Sequence, residues 1–162
     1  MSEPFAGGAE SLSALRRMLR LILVLAMLGT CAELLLLGHT EDWRQWIPLA
    51  LTALGVGVLA WHCARPGPRS TRAVRATMMA FIAAGFAGCY YHFQGSAEFK
   101  LESNPSLAGW ALFWAAVRSK NPPSLAPGVM IQIGLLGLAF CYRRPALAGS
   151  KKMPNINSGE RE

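Results

Sequence analysis

The chain has 162 residues, of which 52% are hydrophobic and only 15% charged. Soluble domains carry about a quarter charged residues, so composition argues against an ordinary water-exposed surface. The formal net charge of +7 sits in short basic clusters between apolar runs. That distribution marks the cytoplasmic side of a membrane protein and excludes a basic nucleic-acid-reading surface.

Residues 1–14 are rich in Gly, Ser, Ala and Glu and are expected to be a flexible start or a short surface helix. Arg16, Arg17 and Arg20 precede the first apolar run, which is expected to span at 19–37. Nineteen residues at about 1.5 Å each reach about 28 Å, close to the hydrocarbon thickness. Cleavage before Cys31 is disfavoured, because Thr30 is bulky for a processing site and the apolar run continues through Leu37. Gly38 stands where a C-cap glycine belongs.

The connection HTEDWRQW places Trp43 and Trp46 at headgroup depth. A second span is expected at 47–63, with Pro48 in its first turn, where a missing N–H is harmless. Gly55 and Gly57 would admit a neighbouring helix. The basic turn 64–72 carries Arg65, Arg69 and Arg72, with Arg75 just beyond. A third span is expected at 73–93, with Gly85 and Gly88 for packing and an aromatic CYYHF end.

Residues 94–107 read as the longest polar connection. Asn104 as cap and Pro105 as first helical residue predict a short helix at 105–117. It is too short to cross and is expected to be interfacial or re-entrant, with Trp110 and Trp114 on one face. The last span is expected at 125–142, closed by Arg143 and Arg144, with a loose tail over 145–162.

The expected fold is therefore all-α: a single transmembrane domain at 15–144, four crossings and one short extra helix. Twelve basic residues fall on one side: Arg16, Arg17, Arg20, Arg65, Arg69, Arg72, Arg75, Arg143, Arg144, Lys151, Lys152 and Arg161. Arg44, Lys100, Arg118 and Lys120 fall on the other. The positive-inside rule then puts both ends in the cytoplasm, of a bacterial inner membrane. The inner arginines set topology and touch anionic lipid headgroups.

Chemistry is expected at the outer end. Glu33, within Cys31–Ala32 and a leucine run, is expected to be a buried polar group facing the bundle, as is Gln132. Hydrogen-bonding or ionic partners within reach are Tyr90, Tyr91, Gln132, His92 and Arg44. Glu33, His39, His92, Glu98 and Glu102 supply imidazole and carboxylate ligands of the kind a divalent transition metal takes. Their spacing matches neither HExxH nor paired Glu-x-x-His repeats. Haem is disfavoured, since His39 and His92 are the sole outer pair and CxxCH is absent. The four cysteines form no CxxC and are expected to be buried free thiols.

The leading functional expectation is an accessory, assembly or structural subunit of a larger membrane complex, contacting lipids and other subunits or itself. Rival expectations are a membrane metalloprotein or small enzyme with an outer Glu/His site, and a small oligomeric channel or transporter.

Overall fold

A computed structural model describes the backbone of residues 5–38, 40–119 and 125–142. The described residues form five α-helices and one 3-10 turn, with no strand. The first helix, α1 (Phe5–Leu36), contains no proline and is rich in Leu and Ala, both strong helix formers. It stops where Gly38 takes φ +64, and the Gly38 N–H donates to the Leu35 carbonyl at 3.1 Å. That left-handed conformation favours glycine, as the sequence anticipates.

The next turn is a local side-chain construction. The Asp42 carboxylate accepts from the Arg44 N–H at 3.4 Å, and Gln45 Oε1 accepts from the Glu41 N–H at 2.8 Å. Asp42 thereby caps the 3-10 turn Trp43–Gln45, which runs into α2 (Trp46–Ala64). After a turn of three residues, α3 (Pro68–Ser103) begins with proline at its first position. The remaining helices are α4 (Gly109–Val117) and α5 (Leu125–Phe140).

Of the two forms expected for the first fourteen residues, residues 5–14 take the helical one, as the first turns of α1. One expectation is corrected. Residues 94–103 continue α3 for about 15 Å past the expected end of the third span. Polarity misled there: Ala97, Glu98, Lys100, Leu101 and Glu102 all sustain a helix, whether or not lipid surrounds them. Asn104 consequently ends α3 instead of starting the next helix. Its Oδ1 accepts from the Ser106 N–H at 3.2 Å and the Ser106 hydroxyl at 2.6 Å. Pro105 lies in that turn, where the residue before a proline leaves helical geometry. The short helix begins at Gly109, preceded by Ala108, which provides no side-chain cap.

The four long helices pack as a ring. α1 lies against α2 and α5, and α3 lies against the same two. α1 and α3 therefore face each other diagonally, and α4 packs on α3. Leu23 and Met27 of α1, Leu59 of α2, Phe81 of α3 and Ile133 of α5 meet in one buried core.

The α3–α5 contact is the most extensive, and small residues set its closeness. A Cβ at Gly85 would stand 2.5 Å from Ile131 Cγ1, and one at Gly134 would stand 2.7 Å from the Met78 carbonyl oxygen. Gly88 meets Pro127, and Gly137 meets the Met78 side chain. Along this antiparallel seam α3 supplies the glycines of one half, Gly88 and Gly85, and α5 those of the other, Gly134 and Gly137. In lipid such contacts hold by dispersion, because hydrocarbon tails are as apolar as the core. Gly55 behaves as anticipated, admitting Met27 and Phe81, whereas Gly57 faces open space.

Three helical stretches, Glu10–Leu36, Trp43–Ala64 and Pro68–Ser103, are long and apolar enough to cross a membrane. The apolar part of the last helix, Pro127–Phe140, is shorter.

Candidate functional site

The end of the bundle opposite the basic turns holds the expected site residues, but the fold does not gather them. Glu33 is exposed on the outward face of α1 and His92 is exposed on α3. Because α1 and α3 are diagonal, the neighbour relation that would join them is lacking. Gln132 is also exposed, so neither expected buried polar group points inward. The reason is rotational: Leu23, Met27 and Leu34 set the buried face of α1, and Glu33 precedes Leu34 by one position, about 100° around the helix.

Glu98 and Glu102 share a helical face, as their spacing requires, and both are exposed. His39 lies outside the described residues, as do Arg143, Arg144 and the segment 145–162. Among the described residues, no three His, Cys, Asp or Glu side chains converge as a metal site would need.

Aromatic contacts organise this end instead. The Arg44 guanidinium lies 4.9 Å from the centre of the Tyr91 ring and 5.6 Å from that of Trp43. It therefore ties the 3-10 turn to α3 by cation–π attraction. On α4, the Trp110 and Phe113 rings stack at 4.8 Å, and Trp114 meets Trp110 edge-on at 6.0 Å. Phe113 reaches Phe93 of α3 at 5.6 Å, and Arg118 lies over Trp114. The shared face expected of Trp110 and Trp114 is present.

The opposite, basic end holds the buried polar cluster that reading along the chain missed. His62 and Ser70 are 1% and 2% exposed. His62 Nδ1 and Ser70 Oγ lie 2.9 Å apart. The same hydroxyl accepts from the Gly67 N–H at 3.1 Å and reaches the Arg65 carbonyl at 3.0 Å. One arrangement satisfies all three: Nδ1–H and the Gly67 N–H donate to Oγ, and the hydroxyl donates to Arg65. His62 also meets Phe140 edge-on at 6.0 Å, which ties α2 to α5. The available signal was the hairpin: a turn as tight as RPGP returns Ser70 to the last turn of α2.

The arginines of this end divide by partner. Arg75 donates to the Cys141 carbonyl at 3.1 Å, closing the C-terminus of α5. Arg20 approaches Cys63 Sγ at 3.5 Å. Cys63 is exposed and Cys141 buried, with Cys31 and Cys89 between, so the expectation of four buried thiols holds fully only for Cys141. Arg65, Arg69 and Arg72 border an open cavity of about 550 Å³.

Described residues that are helical throughout their regular structure, with three membrane-length apolar helices among them, give the chain the make-up of a helical membrane protein. Comparison with protein-family models, with curated proteins and with solved structures gave no match that would define a family.

Proposed function

We propose that this chain is an accessory or assembly subunit of a larger membrane complex, docking through the outward face of α1. One observation carries the reading. Glu33 lies on that face, three residues from the end of the helix, among exposed leucines. A carboxylate in the outer part of a bilayer is costly against lipid and stable against a hydrogen-bond donor or cation. The partner is accordingly a transmembrane helix carrying such a group at the depth of Glu33. The surroundings favour contact: Leu25 and Leu36 are 69% and 88% exposed, and a Cβ at Gly29 would meet nothing within 4 Å. Only 11% of the most apolar stretch of α1 is buried within the chain, against 28% for α2 and for α3.

In this reading α5 is a fourth crossing, its sixteen residues covering about 24 Å. α4 lies at the outer interface, its tryptophans at headgroup level. The basic end faces the cytoplasm of a bacterial inner membrane, and both termini lie on that side. The metal-site and channel readings draw no comparable support from the exposed, dispersed Glu33, His92, Glu98 and Glu102.

A photo-crosslinking residue at Leu25, introduced into the full chain in its native membrane, tests the docking face. The expected result is a cross-link to a different membrane protein at fixed ratio, lost in Glu33→Ala and in Gly29→Leu. A cross-link only to copies of the chain, or one unaffected by both substitutions, would overturn the subunit reading.

A further inference from the structure

We infer that the turn between α2 and α3 is a discrete binding site for a phosphate group, supplied by an anionic phospholipid. The inference rests on the membrane reading above and not on the docking of α1.

The cavity there is bordered by Trp61, Arg65, Pro68, Arg69, Ser70 and Arg72. Three guanidinium groups come from eight consecutive residues. Arg69 and Arg72 are three apart on α3 and so share a face, while Arg65 reaches in from the preceding turn. Among the described residues no carboxylate borders the cavity. Like charges held together repel, and an anion between them removes that cost. Guanidinium is suited to this anion, because its planar fork matches two phosphate oxygens at once.

The backbone acts in the same direction. Gly67 precedes the first turn of α3 and gives it no side-chain cap. Pro68 has no N–H and the Thr71 N–H bonds to the Gly67 carbonyl, which leaves the Arg69 and Ser70 N–H groups as the first-turn donors toward an anion. The backbone of the turn beneath the exposed arginines is held by a buried framework. Ser70 Oγ joins His62 Nδ1, the Gly67 N–H and the Arg65 carbonyl, and Thr71 Oγ1 donates to the Gly67 carbonyl at 3.0 Å. A fixed turn spares the binding free energy the entropy of ordering it.

The level of the cavity identifies the source of the phosphate. Trp61 borders it and is 44% exposed, the setting of an indole at a membrane–water interface. The cavity lies at one end of two membrane-length helices, where lipid headgroups stand. Arg75 and Arg20, engaged with the Cys141 carbonyl and Cys63, lie outside this set.

The test is titration of the detergent-purified full chain with short-chain phosphatidylglycerol, short-chain phosphatidylcholine and inorganic phosphate. Wild type, Arg69→Gln, Arg72→Gln and the control Arg17→Gln are compared, with helix content checked by circular dichroism. The expected result is saturable one-to-one phosphatidylglycerol binding, weakened about tenfold in each cavity variant and less than twofold in Arg17→Gln. Phosphatidylglycerol binding more tightly than inorganic phosphate supports a lipid source, and equal binding supports the same phosphate site filled by the free anion. Equal weakening by Arg17→Gln, undiminished binding in the cavity variants, or no saturable binding of either ligand would overturn the site.

Discussion

Single residues in this bundle have sharply different weight, and glycine shows it best. At Gly134 an added Cβ would stand 2.5 Å from Ile82 Cγ1 and 2.7 Å from the Met78 carbonyl oxygen. The backbone of α3 cannot yield without losing the seam, so Gly134→Ala is expected to destabilise the fold by about 1–3 kcal/mol. Gly57, also within a span, faces open space. Gly57→Ala should be neutral or stabilising by up to about 1 kcal/mol through helix propensity. Denaturant unfolding in detergent micelles, followed by circular dichroism, separates the two; equal effects would contradict the α3–α5 seam. Ser70 is a second residue of this kind. Ser70→Ala removes the acceptor of the Gly67 N–H and the hydroxyl beside buried His62. It should cost about 1–3 kcal/mol on the same measurement. A cost near zero would show that water replaces the hydroxyl.

At the scale of elements, boundaries decide what each helix can do. α1 ends because Gly38 reverses the chain at φ +64, so Gly38→Ala should cost about 1–2 kcal/mol. Its signature in hydrogen exchange is faster exchange at Leu37 and Gly38, whose N–H groups bond back to Glu33 and Leu35. The far end of α3 gives a further expectation. Phe113 holds α4 to α3 through Phe93, and Trp110 stacks on it. In Phe113→Ala, tryptophan emission should shift and α4 should become more susceptible to proteolysis, with the α3–α5 seam unaffected. Loss of the whole fold instead would make α4 part of the core. Reading α3 from sequence failed where polarity was equated with a loop. A helix leaving a membrane need only change its surface, and Asn104–Pro105 is where the backbone stops.

For the whole molecule, the length of the apolar runs made the membrane-length helices legible before any coordinates. Leu-rich α1 can cross a membrane whatever it packs against, and the α2–α3 hairpin follows from a three-residue turn. The oppositely placed basic and aromatic ends were legible for the same reason, since alternate short connections return the chain to alternate ends. Site geometry was not legible. A carboxylate in an apolar run says that a partner is needed; it does not say on which side of the helix the partner stands. That depends on rotation about the helix axis, which the burial of Leu23, Met27 and Leu34 fixes and which turns Glu33 outward. It depends as well on which helices are neighbours, and the ring order sets α1 diagonal to α3. The sequence alone determined the apolar helices, the breaks at Gly38 and at the α2–α3 turn, and the clustering of arginine, because each is a local property of the chain. Only packing decided that Ser70 meets His62, that Arg75 closes α5, and that Arg65, Arg69 and Arg72 border one cavity, because these follow from contacts between helices and the closing of a turn.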